Sequence, residues 1–256
     1  MAWSPTQYTK FEQERNRPIH DLIAQIPNEK VGRAVDVGCG PGNSTELLQQ
    51  RYPEASVLGI DSSAEMIAAA KKRLPGQAFE IADVSAWSNP GPFDVILSNA
   101  VLQWVPNHET LIPALLSKLA PGGSLAVQIP DNLDEPAHVL MREIAAADPW
   151  SGKLARAHEG TGNRHDVAWH YRLLRAAGVA VNIWRTTFHH TLQGGPSAIV
   201  EWFKATGLRP FIEPLDPAER AKFLERYEAG LAKAYPTASD GTVLLPFPRL
   251  FFVATR

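Results

Sequence analysis

The run VDVGCGPGNST, residues 35–45, constrains this chain more than any other stretch. Val35 and Val37 are apolar and β-branched. Gly38, Gly40 and Gly42 follow at alternate positions, and the apolar spacing of ELLQQRY is helical. The run therefore reads as a strand that breaks into a glycine turn and opens a helix, with Asn43, Ser44 and Thr45 as caps. Glycine permits positive φ and lets a ligand approach the backbone, so a nucleotide-type ligand is expected here. The spacing is G-x-G-x-G. It departs from the dinucleotide fingerprint G-x-G-x-x-G, whose third glycine would fall at Asn43.

Around this turn the apolar runs RAVDVG, SVLGID, QAFEIAD, FDVILSN and SLAVQIP alternate with helical patterns, which predicts an α/β fold with a parallel sheet. Pro18 suits the first residue of a helix over IHDLIAQI, and Ser62-Ser63 caps AEMIAAAKKRL. After residue 135 come the helical PAHVLMREIAAA and DVAWHYRLLRAAG, a strand near VNIWRTTFHH, a mainly helical stretch and a closing strand RLFFVATR. One domain over 1–256 is expected, with a helical cover at 1–30, a cofactor-binding core at 31–150 and a helical insertion at 191–248.

The formal net charge of −2, from 25 basic and 27 acidic residues, gives no broad electropositive surface and speaks against a nucleic-acid partner. No apolar run reaches the roughly 18 residues of a membrane span, and the first fifteen residues hold no apolar signal core. A cytoplasmic protein is expected. Cys39 is the only cysteine, which excludes an intrachain disulfide and a cysteine metal cluster. His189 and His190 are adjacent and point to opposite faces of a strand, and no metal is expected.

In an open α/β sheet, ligands sit beyond the carboxyl ends of the strands. Here those ends carry the glycine turn, Asp61, Asp83 and Ser98-Asn99. A carboxylate at Asp61 can accept both ribose hydroxyls. Asp36 and Asp83 add negative charge, which repels pyrophosphate and suits a cation such as S-adenosylmethionine. VDVGCGPG, Asp61, Ala82-Asp83, FDVILSN and LAPGGSL together resemble the ordered motifs of class I S-adenosylmethionine-dependent methyltransferases. The resemblance implies a Rossmann-like, seven-stranded sheet of order 3-2-1-4-5-7-6 with an antiparallel last strand. It implies that Gly38, Gly40 and Gly42 pass the methionine moiety, that Asp61 holds the ribose and that Met66 lies on the adenine. Asp83, with Val84 beside it, would meet the adenine amino group, and Asn99 and Ala100 would lie under the reactive methyl. Tyr8, Asp36, Asn43 and Ser62 complete the implied cofactor set, with Trp87 and Trp104 as candidate aromatic walls.

The acceptor is read elsewhere. Ser98-Asn99-Ala100-Val101 stands where amide and base methylases carry D/N-P-P-Y/F, and no Pro-Cys pair is present. Small-molecule acceptors remain. WSPTQYTKFEQERNRP, IPDNLDEPAHVLMREI, IWRTTFHH, TGLRPF and LLPFPRLFFVATR resemble the trans-aconitate methyltransferases, a family that esterifies one carboxylate of that tricarboxylate. A carboxylic acid with pKa near ~4 is ionised at neutral pH, so no general base is expected. The remaining carboxylates call for arginine. Arg15, Arg17, Arg209 and Arg249 are the candidates, with Trp104 on the same wall. Another small carboxylate as acceptor and a non-catalytic cofactor-binding module are the alternatives; Asn43 counts against a nicotinamide dehydrogenase.

Overall fold

The structure, a computed structural model, describes residues 12–155, 157, 165–204 and 206–256. Two compact units are distinguished: Met1–Pro130 with Asn163–Thr186 and Leu250–Arg256, and Asp131–Gly162 with Thr187–Arg249.

Seven strands form one sheet of order β3-β2-β1-β4-β5-β7-β6, the order expected from the sequence. They are β1 Arg33–Val37, β2 Ser56–Asp61, β3 Ala78–Ile81, β4 Phe93–Asn99, β5 Leu119–Pro130, β6 Ala180–Gln193 and β7 Thr242–Thr255. β1 pairs in parallel with β2 and with β4, and β4 with β5. Against β5, β7 runs antiparallel: Arg256 N–H donates to Gly123 O at 3.0 Å, and Gly122 N–H donates to Arg256 O at 2.9 Å. Val35, Val37, Ile96, Leu97 and Val127 are almost fully buried, as expected of central parallel strands covered on both faces.

Helix Glu12–Ala24 contains Pro18 in its interior, whereas the sequence suggested a helix starting there. An interior proline costs about 3 kcal/mol. Ile19, Leu22 and Ile23 on the same helix are buried, and their burial at roughly 1.5–3 kcal/mol each outweighs that cost. Helix Asn43–Arg51 departs from expectation at its start: Gly42 is the N-cap, and no side chain caps it. Ser63 does cap helix Ala64–Arg73, its Oγ accepting from Met66 N–H.

The second unit contains helices Pro136–Ala146, Pro196–Lys204, Arg209–Ile212 and Pro217–Ala234. Asp216 and Glu219 form a reciprocal capping box on the last of these. Trp202 is buried and stacks on His190 with ring centroids 4.6 Å apart, while His189 is exposed. The closing strand begins at Thr242, seven residues before the expected Arg249, and accommodates Pro246 and Pro248. Pro248 O accepts from Asp131 N–H at 2.9 Å, just past the end of β5.

Candidate active site

The first unit carries a cleft of about 270 Å³ at the carboxyl ends of β1 to β4. Gly38 N–H and Cys39 N–H both donate to Ile60 O, at 2.7 and 2.9 Å, which folds the glycine turn back over the end of β2. Asp61 completes the clasp. One carboxylate oxygen accepts from Gly40 N–H at 2.9 Å and the other from Ser63 N–H at 2.8 Å. Each oxygen has a second lone pair, so the carboxylate that shapes the turn can still accept from a ligand hydroxyl. Gly38 and Gly40 both take positive φ, at 71° and 54°. A Cβ at Gly38 would overlap the Val101 side chain, whereas one at Gly40 would enter open space. Gly38 is therefore required by packing, and Gly40 leaves its backbone open to a ligand.

Met66 and Asp83 stand on the opposite wall with Ser62, Val84 and Ser85. Asp83 accepts from the Ser85 hydroxyl at 2.7 Å and the Ser85 N–H at 2.9 Å. Those bonds hold its carboxyl below the usual carboxylate range and keep it ionised near neutrality. The floor is the turn after β4. Ala100 has φ 57°, a left-handed conformation that costs a non-glycine residue about 1–2 kcal/mol. Both its backbone groups are tied: its N–H donates to Gln128 O at 2.9 Å, and its carbonyl accepts from Gln103 Nε2 at 2.7 Å. Asn99 Oδ1 is buried in the lining with no hydrogen-bond partner. Trp104 lines the mouth at 44% exposure.

Ten of the expected residues thus meet in one cleft: Gly38, Gly40, Asp61, Ser62, Met66, Asp83, Val84, Asn99, Ala100 and Trp104. Others do not. The Asp36 side chain turns away to the first turn of helix Asn43–Arg51, where Ser44 and Thr45 hydroxyls donate to its Oδ2 at 2.7 Å each. This is why Ser44 and Thr45 are unavailable as caps. Full burial raises the Asp36 carboxyl to about 6. Gly42 packs against Ala70 of the next helix. Asn43 Nδ2 donates to Asn16 Oδ1 at 2.7 Å, tying two helices together. Trp87 is a core residue stacked on Phe93. Tyr8 lies outside the described residues.

The arginines are also spread. Arg15 is half-buried and Arg17 exposed on helix Glu12–Ala24, and neither lines the cleft. Arg209, in the second unit, directs Nε and Nη2 to Glu213 Oε1 at 2.8 and 2.6 Å. Arg249, in the middle of β7, is 4% exposed, with its guanidinium 4.6 Å from the Phe247 ring centre. Sequence reasoning passed over Val101 and Pro41 in the lining. Their adjacency to Ala100 and Gly40 was the available signal. Among the described residues no group of three or more His, Cys, Asp or Glu is placed to hold a metal ion, and no helix is long and apolar enough to cross a membrane.

The lining carries two carboxylates and an unpartnered amide oxygen, and no lysine or arginine. Such a donor-poor, acidic surface fits a ligand that brings hydroxyls, an amino group and positive charge, as S-adenosylmethionine does, and disfavours a phosphate. Comparison with known proteins agrees. A family model described as a methyltransferase domain matches residues 8–209. A trans-aconitate 2-methyltransferase of Methylobacterium nodulans is 54% identical over 99% of this chain and 98% of its own. One of Rhodopseudomonas palustris is 50% identical over 99% of each. Among solved structures, the YcgJ protein of Bacillus subtilis superposes with a TM-score of 0.60 at 13% identity, covering 94% of this chain and 98% of its own. The plantazolicin methyltransferase BpumL, solved with S-adenosylhomocysteine, gives 0.56 at 17% identity, covering 98% and 89%. These structural likenesses speak to the fold, which is that of a methyltransferase. Identity of 50–54% over 99% of the chain goes further: this chain belongs to the trans-aconitate 2-methyltransferase family.

Proposed function

We propose that the protein transfers a methyl group from S-adenosylmethionine to a carboxylate oxygen of trans-aconitate, giving a monomethyl ester and S-adenosylhomocysteine. The observation that carries this reading is the reach of the likeness: the relatives match over 99% of the chain, so the second unit is shared along with the cofactor cleft. Bound in the cleft, the cofactor supplies an electrophilic methyl. Asp61 accepts from the ribose, Met66 covers the adenine, Asp83 accepts from its amino group, and Asn99 and Ala100 form the floor at the methionine end. The substrate carboxylate is already ionised, so no side chain need remove a proton. What the protein contributes is alignment and exclusion of water, which can lower a barrier by roughly 7–11 kcal/mol. Arg15, Arg17, Arg209 and Arg249 are the candidates to hold the other carboxylates, since bidentate pairing is the strongest way to orient them. We infer a cytoplasmic enzyme acting on a small molecule, with no membrane partner, and the net charge of −2 speaks against a nucleic-acid partner.

Incubation with methyl-labelled cofactor and trans-aconitate tests the reading. A base-labile methyl ester is expected, formed faster than with other di- and tricarboxylates. Absence of turnover above the blank overturns it.

A further inference from the structure

The turn after β4 holds a strained residue with unusual thoroughness. Ala100 is one of two non-glycine residues with positive φ among those described, and it lies in the cleft floor. A left-handed non-glycine residue persists only where its surroundings over-determine it. Two restraints do so here. One, the bond to Gln128 O, comes from the backbone of β5 and survives any side-chain change. The other is the Gln103 side chain, whose Nε2 reaches back three residues to the Ala100 carbonyl at 2.7 Å.

Gln103 is otherwise poorly placed. Its Oε1 is buried and has no partner, an arrangement that works against stability by itself. Asn99 Oδ1, beside the strained residue, is likewise buried without a partner while facing the lining of the cleft. Val101 on the other side fills the space that a Gly38 side chain would need, so the turn after β4 abuts the glycine turn. A shift at Ala100 would move both the Asn99 amide and the Val101 contact.

We propose that Gln103 is a positioning residue: by holding the Ala100 carbonyl it fixes the left-handed turn that presents Asn99 to the methionine end of the cofactor. It touches neither cofactor nor acceptor. The inference rests on the assignment of the cleft to the cofactor and extends it to a residue outside the lining.

Gln103→Met keeps the length of the side chain and removes its donor. It should weaken S-adenosylhomocysteine binding about tenfold by calorimetry, the size of one lost restraint. The variant should lower kcat while leaving the KM for trans-aconitate within about twofold, because the acceptor is held elsewhere. Adding Ala100→Gly to Gln103→Met should recover most of the lost affinity, since glycine takes positive φ without a side-chain brace. A purely structural role predicts lowered melting temperature in the single variant and no recovery in the double. Unchanged affinity in Gln103→Met, or absence of recovery on adding Ala100→Gly, overturns the inference. Wild-type binding of S-adenosylhomocysteine without turnover of trans-aconitate would refute the proposed substrate and leave this test intact, because its first readout is binding.

Discussion

Asp61 performs two tasks with one carboxylate, clasping the glycine turn through Gly40 and Ser63 while keeping lone pairs for a ligand. Asp61→Ala should weaken S-adenosylhomocysteine binding by about 1–3 kcal/mol, checked by calorimetry, with the unfolding transition retained. Asp36 was expected at the same site by its charge alone; its side chain instead satisfies two hydroxyls at a buried helix start. Burial lifts its carboxyl to about 6, so the folded state holds this proton more tightly than the unfolded chain does. Its contribution is therefore present in acid and is lost as pH rises from about 4 to about 6. Urea unfolding of wild type and Asp36→Asn across that window should show the wild type losing stability relative to the variant as pH rises. Such partners are invisible in a sequence, because strand alternation does not say which helix start lies above Asp36. The arginines pose the same difficulty. Arg249→Ala should raise the KM for trans-aconitate about tenfold in steady-state assays if that buried guanidinium clamps the substrate.

At the scale of elements, most of the sheet was legible because each central strand is a short apolar run between punctuating glycines, prolines and polar caps. The boundaries that slipped were set by long-range pairing. Thr242–Pro248 reads as the end of the helical insertion, yet it belongs to β7, which pairs inside the sheet between β5 and β6. Pro18 reads as a start and lies mid-helix because the apolar face around it is buried. Helix Val167–Ala176 supplies a test at this scale. Asp166 caps it, accepting from Trp169 N–H at 2.6 Å, and His170 is buried with Nδ1 bonded to the Asp166 carbonyl at 2.9 Å. A carbonyl only accepts, so Nδ1 carries a proton. His108, His165 and Asp166 surround it, and burial drives its pKa down to about 4. The folded state thus resists protonation, and stability present above pH 6.5 should be lost as pH falls toward 4. His170→Asn, which keeps a donor for Asp166, should flatten that acid limb in thermal unfolding scans.

For the whole molecule, near-neutral charge conceals a local imbalance: the cleft lining is acidic with no basic side chain. Binding of positively charged S-adenosylmethionine should weaken about threefold between low and high salt, while S-adenosylhomocysteine, which lacks the sulfonium, should change less. Calorimetry at two ionic strengths checks this. The cofactor half of the site was readable because its residues occupy strand ends, which local pattern locates. The acceptor half was not, since arginines drawn from distant segments acquire meaning only through their partners. Gly38 and Val101 illustrate what such closeness means for design. The two positions share one volume, and a side chain at 38 would need atoms removed at 101 while still taking a positive φ. Two positions sixty-three apart in the chain thus answer to one packing constraint.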